Sequence, residues 1–441
     1  MGEERIKRID RVGNTEQIPY TRTVRDYKSQ RWIANRLYRL MGRSAFFWEN
    51  PEEGLGVGTF RGSNFFDLKD TAGRIKSLEE YPKENIRSGR RLEGLARREE
   101  EAGHVQTACD YNFRACLFYV AAAWGIFDSD DKEFLWLNDK IHSTFDRVIQ
   151  YNSYPMERVE IPFEGKSIPA ILSLTPGRKK APTVICVPGM DLHKENVLNY
   201  LRNPYVLRSM NCLALDGPGQ GESLARKIWV DEENYGRAGK AAIEYLVKRP
   251  EVDPEKIGVQ GVSMGTYWGP LIALHDPRVK AIATHMSNEY GKDHIFNETS
   301  PNFRLRFMWM AGNLDDEAFD RMAAKMTLEG RESGIRCPHI IFHGEFDHLT
   351  STEEVYRYFN RIGSEVKELR IYENQYHGVS RFIDEISSMA ADWLRDRLTG
   401  VPVKQKRRVV LVDWNKQEHP VDEEKLAQGF SYLMAEERNP G

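Results

Sequence analysis

From Tyr154 onward the sequence alternates short apolar runs with longer stretches of helical spacing, and this alternation restricts the fold more than any other feature of the chain. The runs "PTVICVPG", "MNCLALDGPG", "KIGVQGVS", "VKAIATHMS", "PHIIFHGEFD" and "KELRIYENQYHG" carry few polar residues. A strand with one wet face alternates apolar and polar residues, whereas a strand covered on both faces is apolar almost throughout. Helical stretches between such runs predict a mostly parallel sheet covered by helices on both sides. Ahead of them Val159, Ile161 and Phe163 alternate with polar residues, Gly165-Lys166 makes a turn, and Ile168, Ala170, Leu172 and Leu174 alternate again. That pattern predicts an antiparallel hairpin leading into the sheet. The fold class is α/β.

Before residue 150 the spacing is helical. "RWIANRLYRLMGRSAFFW" repeats its apolar residues every three or four positions, "YNFRACLFYVAAAWGIF" is apolar on nearly all sides, and "EFLWLNDKIHSTFDRVI" is amphipathic. Residues 1–150 are read as an N-terminal helical domain, serving as a cap or an oligomerisation unit. No flexible linker follows it, so it is expected to pack over the catalytic face or a partner subunit. Residues 151–400 are read as the catalytic domain. Inside it, about fifty residues separate "VKAIATHMS" from "PHIIFHGEFD", too many for a plain loop. The segment 288–335 is therefore read as a helical cap insert over the C-terminal edge of the sheet, with Phe307 and Trp309 among its substrate-facing residues. Residues 401–441 form a C-terminal extension with one strand-like run, "RRVVLVDW", and an amphipathic helix, to which no chemistry is assigned.

The stretch "KIGVQGVSMGTYWGP" places a serine between two glycines where a strand gives way to a helix. A serine on so sharp a corner stands clear of the sheet, next to the positive end of the helix. The reading is that Ser263 is a nucleophile and that the Met264 N–H is one oxyanion donor. A serine needs a base, and the base needs an orienting acid. Asp347 follows the strand in "IIFHGEFDHLT", and His377 follows the next strand in "LRIYENQYHGVS". Both fall at strand C-terminal ends, the side expected for Ser263. Glu345 is the alternative acid. His348 is out of order for the base, and His343 lies within the strand as a packed residue. The second oxyanion donor is expected after "PTVICVPG", where Gly189 lets the backbone approach the substrate and the Met190 N–H points inward. Asp191, His193 and Glu289 complete the candidate substrate contacts.

These stretches together, with "TACDYNFRACLFYVAAAW", "RVEIPFEGKSIPAIL", "PGMDLHKE", "LDGPGQGES" and "YHGV", resemble the 2,6-dihydropseudooxynicotine hydrolase-like branch of the α/β-hydrolases. Fungal polyketide-shortening hydrolases are similar, and FrsA-type esterases more distantly so. The resemblance spans about residues 100–395. It implies hydrolysis of a carbon–carbon bond beside a ketone, or of an ester, within a dimer-like assembly. It implies the triad roles for Ser263, Asp347 and His377, and the oxyanion hole at Met190 and Met264.

The remaining composition narrows the partners. The 441 residues carry a net charge of -3, with 29% charged residues of both signs interspersed, so no polyanionic partner such as nucleic acid is expected. No run of eighteen apolar residues and no apolar leader occurs, so neither a membrane span nor a secretory signal is expected, and the compartment is read as cytoplasmic. Five scattered cysteines without a CxxC pair read as buried free thiols, with no metal site and no cofactor. The expected partner is a small-molecule carbonyl substrate, and the expected assembly a homodimer. Two readings stand beside carbon–carbon hydrolysis: a carboxylesterase or thioesterase, and a non-catalytic ligand-binding relative.

Overall fold

The computed structural model describes residues 61–77, 79–299 and 301–428. The amphipathic run at 31–48 and the last residues of the C-terminal extension lie outside them. Four helices come first: α1 (Phe65–Arg74), α2 (Glu80–Glu101), α3 (Val105–Ala123) and α4 (Lys132–Tyr151). Beyond its first turn helix α3 carries little polar surface, and twelve of its residues are buried, between Ala108 and Ala123. Helix α4 starts where the Asp131 side chain accepts the N–H groups of Glu133 and Phe134, satisfying two donors that the first turn leaves open.

Strands β1 (Met156–Phe163) and β2 (Lys166–Ser173) form the hairpin. Its two turn residues, Glu164 and Gly165, have φ of 45° and 79°, the mirror-image turn whose twist matches that of paired strands. Then come β3 (Ala181–Val187), β4 (Asn211–Leu215), α5 (Gly221–Ala225), α6 (Asn234–Leu246), β5 (Val252–Val262), α7 (Gly265–His275) and β6 (Val279–His285). The insert follows with α8 (Asp293–Asn297), α9 (Pro301–Met310) and α10 (Asp316–Ala323). The chain returns through β7 (His339–Gly344), α11 (Thr352–Arg361), β8 (Lys367–Tyr372) and α12 (Ile383–Thr399). It ends in β9 (Arg407–Val412), β10 (Glu418–Pro420) and α13 (Glu423–Gln428).

Among the described residues one sheet runs in the order β1-β2-β4-β3-β5-β6-β7-β8-β9-β10. The strands from β4 to β9 are mutually parallel, with antiparallel pairs at both edges. The strand-like run of the C-terminal extension is β9, which lengthens the same sheet beside β8. Strands β3 and β7 are buried along almost their whole length, and β5 from Ile257 to Val262, the doubly covered state read from their composition. All five cysteines are free, four of them buried. Among the described residues no helix is long and apolar enough to cross a membrane.

The early helices lie against the loops at the C-terminal ends of the strands. Phe113 of α3 and Phe145 of α4 meet edge-on, and both contact Tyr200 in the connection from β3 to β4. Just past α3, Trp124 donates its indole N–H to Asp191 at 3.0 Å. Helix α3 and the residue after it therefore sit on the loop that follows β3, the loop expected to carry an oxyanion donor.

Candidate active site

Ser263 follows β5 with φ of 54°, in the left-handed region. For a residue other than glycine this conformation costs ~1–3 kcal/mol, so its surroundings must enforce it. The Ser263 N–H donates to the His285 carbonyl at the end of β6 (3.0 Å), and its own carbonyl accepts the Thr266 N–H and hydroxyl, each at 2.7 Å. The two glycines are demanded by space. A Cβ on Gly261 would lie 2.2 Å from the Gly265 carbonyl oxygen, and one on Gly265 would lie 2.4 Å from that of Val187. Helix α7 starts directly behind the serine and runs on through Pro270, whose ring leaves the Thr266 carbonyl without its usual helical donor.

His377, in the turn after β8, brings Nε2 to 2.9 Å from Ser263 Oγ. Its Nδ1 lies 2.8 Å from Asp347 Oδ2, in the turn after β7. A proton held on Nδ1 toward the carboxylate leaves Nε2 to accept the serine proton. Asp347 Oδ1 accepts the N–H groups of Leu349 (2.9 Å) and Thr350 (3.3 Å), which fix the carboxylate plane. Burial by itself would raise the Asp347 carboxyl. The His377 ring outweighs that effect, His343 and His348 add to it, and the group falls below its ordinary value. The alternative acid, Glu345, instead accepts the Asn374 N–H at 2.9 Å. His343 is fully buried in β7, where desolvation pushes it down to about 4.

The loop Pro188–Asp191 leaves β3 directly against the serine. A Cβ on Gly189 would be 3.0 Å from Ser263 Cβ and 3.6 Å from Oγ. Among the described residues no acceptor takes the Met190 or the Met264 N–H. Three successive carbonyls of the loop are engaged: Gln220 Nε2 donates to those of Pro188 (3.1 Å) and Gly189 (2.8 Å), and Arg306 Nε to that of Met190 (3.3 Å). Asp191 accepts from Trp124 and faces Arg306 Nε at 3.0 Å, with its side chain 36% exposed. It stands at the seam of three segments: the β3 loop, the end of α3 and the cap helix α9.

The other candidate contacts are packed. Phe307 is fully covered by Trp268, Phe296 and Phe319. Trp309 lies against Phe127 and Phe134 and donates its indole N–H to Ser129 Oγ at 3.0 Å. These two side chains fasten the cap helix to α7 and to the early helices, and expose almost no surface to a cavity. This corrects the expectation that they face substrate: the apolar spacing that fits a pocket wall also fits a core. His193 is likewise buried, and desolvation lowers it. It lines a cavity of about 200 Å³ with Leu135, Ile141 and Lys194, on the side of α4. Glu289 is 1% exposed, and neither carboxylate oxygen has a hydrogen-bond partner. Burial pushes it up to about 8, with Lys292 opposing the shift and Asp347 adding to it.

Gln220, Arg306 and Lys194 were not singled out from sequence. The only signal for Gln220 is its place in "LDGPGQGES", directly after a strand. Arg306 sits inside a helical run where a charge normally reads as solvated. Lys194 is buried against the carboxylates of Asp216 (2.8 Å), Glu222 (2.9 Å) and Glu195 (3.0 Å), and its N–H donates to Asp216 Oδ1 at 2.6 Å.

Comparison with known proteins agrees with this architecture. A family model described as "Esterase FrsA-like" matches residues 94–310. The 2,6-dihydropseudooxynicotine hydrolase of Paenarthrobacter nicotinovorans is 26% identical over 227 residues, which cover 49% of this chain and 60% of that protein. Hydrolase pyiE of Pyricularia grisea is 26% identical over 327 residues, covering 67% of this chain and 68% of that protein. The crystal structure of the 2,6-dihydroxy-pseudo-oxynicotine hydrolase superposes with a TM-score of 0.69 at 22% identity, over 80% of this chain and 97% of that one. The shared fold includes the early helices as well as the sheet, since the sheet region alone could not supply that coverage.

Proposed function

We propose that this chain, an α/β-hydrolase, is a serine hydrolase of a bulky carbonyl compound. The observation that carries the reading is the line from Ser263 through His377 to Asp347, with unbroken contacts of 2.9 and 2.8 Å. His377 takes the Ser263 proton while the Asp347 carboxylate holds the imidazole and balances its positive charge. Ser263 Oγ attacks the carbonyl carbon. The oxygen that becomes negative is met by the Met190 and Met264 N–H groups, which point at the charge only as it develops. Water, deprotonated by His377, then releases the acyl group.

The substrate class we assign is a ketone-bearing aromatic or polyketide-like compound, cleaved at the carbon–carbon bond beside the carbonyl. Its support is the resemblance to the 2,6-dihydropseudooxynicotine hydrolase and the fungal hydrolases. Such a cleavage expels a carbanion or enolate, which His377 protonates. Glu289, uncharged at neutral pH because burial holds it at about 8, spares the site another negative charge during that step. The FrsA-like match favours a second reading, cleavage of a bulky ester by the same residues. Steady-state rates on matched aryl β-diketones and aryl esters separate the two. Turnover of the diketones supports the first; turnover of esters alone establishes the second.

A further inference from the structure

We infer that Gln220 is a positioning residue for the oxyanion hole: it locks the Gly189–Met190 peptide in the one orientation that aims the Met190 N–H at the substrate. The inference rests on the serine-hydrolase reading above. In a trans peptide the C=O and the N–H of one plane point in opposite directions. The Gly189 carbonyl and the Met190 N–H belong to one plane. Gln220 Nε2 holds that carbonyl at 2.8 Å, beside the weaker Leu192 N–H at 3.2 Å, and holds the preceding one, of Pro188, at 3.1 Å. With the carbonyl tied toward Gln220, the N–H is left to the opposite side. A peptide flip would turn the carbonyl into the hole, where it would repel the developing oxyanion.

The Gln220 amide is itself oriented. The Tyr235 hydroxyl donates to its Oε1 at 2.5 Å, and the Gly217 N–H donates at 3.2 Å. With Oε1 occupied by two donors, only Nε2 can face the loop carbonyls. Gln220 is 1% exposed, so water does not compete for these bonds. Tyr235 stacks on Trp268 of α7, with rings 4.4 Å apart and 7° from parallel. The hydrogen-bond chain from the hole thus ends on the helix that carries the nucleophile. Arg306 secures the next carbonyl, of Met190, at 3.3 Å, so the adjoining plane is also tied.

Gln220→Glu tests this cleanly. Assayed well above pH 8, where a carboxyl buried like that of Glu289 is ionised, it keeps the volume and the accepting end but replaces the donor by an oxygen that repels both carbonyls. Kinetics on an activated aryl ester, p-nitrophenyl butyrate, are normalised to the sites that react with a fluorophosphonate at end point. Loss of folded protein lowers that titre; misdirection of the N–H lowers the rate per titrated site. The expected result is a fall in kcat of about 10²-fold with KM within about twofold, since one oxyanion donor is withdrawn. Affinity for an aryl trifluoromethyl ketone, which forms an oxyanion adduct, should fall by the same factor as kcat/KM. A per-site kcat within threefold of wild type overturns the inference, as does a raised KM at unchanged kcat. If Gln220→Glu does not fold, Tyr235→Phe decides: a fall of about three- to tenfold in per-site kcat is expected, and none overturns the proposal. Labelling of the wild type and its absence in Ser263→Ala are checked on the same samples. Failure there removes the serine reading and this inference with it. Success there with a normal Gln220→Glu removes this inference alone.

Discussion

The two backbone segments that meet at the Ser263 hydroxyl are held by opposite means. The elbow Gly261–Gly265 is fixed mainly by steric limits, within its own five residues and against the Val187 carbonyl. Its φ of 54° at Ser263 is framed by two glycines that leave no room for a Cβ. The Pro188–Asp191 loop has one local tie besides Gly189, the Leu192 N–H on the Gly189 carbonyl at 3.2 Å. Its shape is imposed by Gln220, Arg306 and Lys194, from 31, 116 and few residues away respectively. Lys194 closes the arrangement by joining the far end of the loop to Asp216 and Glu222 around the β4 turn. One half of the site is thus chiefly a steric device, and the other chiefly a set of side-chain hydrogen bonds from distant residues.

The difference predicts how each half fails. The largest effects belong to the chemistry that both halves serve. Ser263→Ala should lower kcat by about 10⁵–10⁶-fold while leaving the protein folded, and His377→Ala should lose nearly as much. The double variant should be little worse than either, because the residues act as a unit. Additive losses in steady-state kinetics would mean that another group is the base.

The elbow should fail by local strain. Gly265→Ala places a Cβ 2.4 Å from the Val187 carbonyl, backbone that belongs to the rigid centre of the sheet. Stability should fall by about 1–3 kcal/mol in urea, and activity should fall because the serine shifts with the strain. A variant with wild-type stability and rate would show that the elbow is not sterically fixed.

The loop should fail differently. Lys194→Met leaves Asp216 buried without its counter-charge and Glu195 with Arg158 alone, a loss of about 3–5 kcal/mol. The elbow does not depend on Lys194, so the residual folded protein should still react with a fluorophosphonate at Ser263. If stability is unchanged, the loop is held by something other than this cluster.

A pH dependence of stability sits behind the triad. Folding raises Glu289 from 4.5 to about 8, so the native state binds the proton more tightly than the unfolded chain does. Its contribution is fully present below pH 4.5 and is lost as pH rises through about 8. Glu289→Gln, which mimics the protonated group, should therefore gain in Tm relative to wild type across that window and level off above it. A difference in Tm that is flat with pH would place the Glu289 proton elsewhere.

How much of this could be read in advance follows from the same contrast. Ser263, Asp347 and His377 were legible because each sits in a short turn directly after a recognisable strand, and because local glycines announce the elbow. Met190 was legible from its place after "PTVICVPG". Gln220 and Arg306 were not, since nothing local in "GPGQG" or in "FRLRFMWM" reveals which distant carbonyl a side chain will reach. His193 stands among the expected substrate contacts, yet it is buried beside α4. Phe307 and Trp309 were found on the insert as expected, but helical spacing cannot distinguish a side chain that faces a ligand from one that fastens two layers.

The central claim is that Ser263, activated by His377, is the reacting group. Intact-protein mass spectrometry after exposure to a fluorophosphonate tests it most directly. The account predicts one adduct per chain on the wild type, mapped by proteolysis to the peptide containing Ser263, slow labelling in His377→Ala, and none in Ser263→Ala. An adduct that persists in Ser263→Ala, or a folded wild type that takes up none, would contradict it.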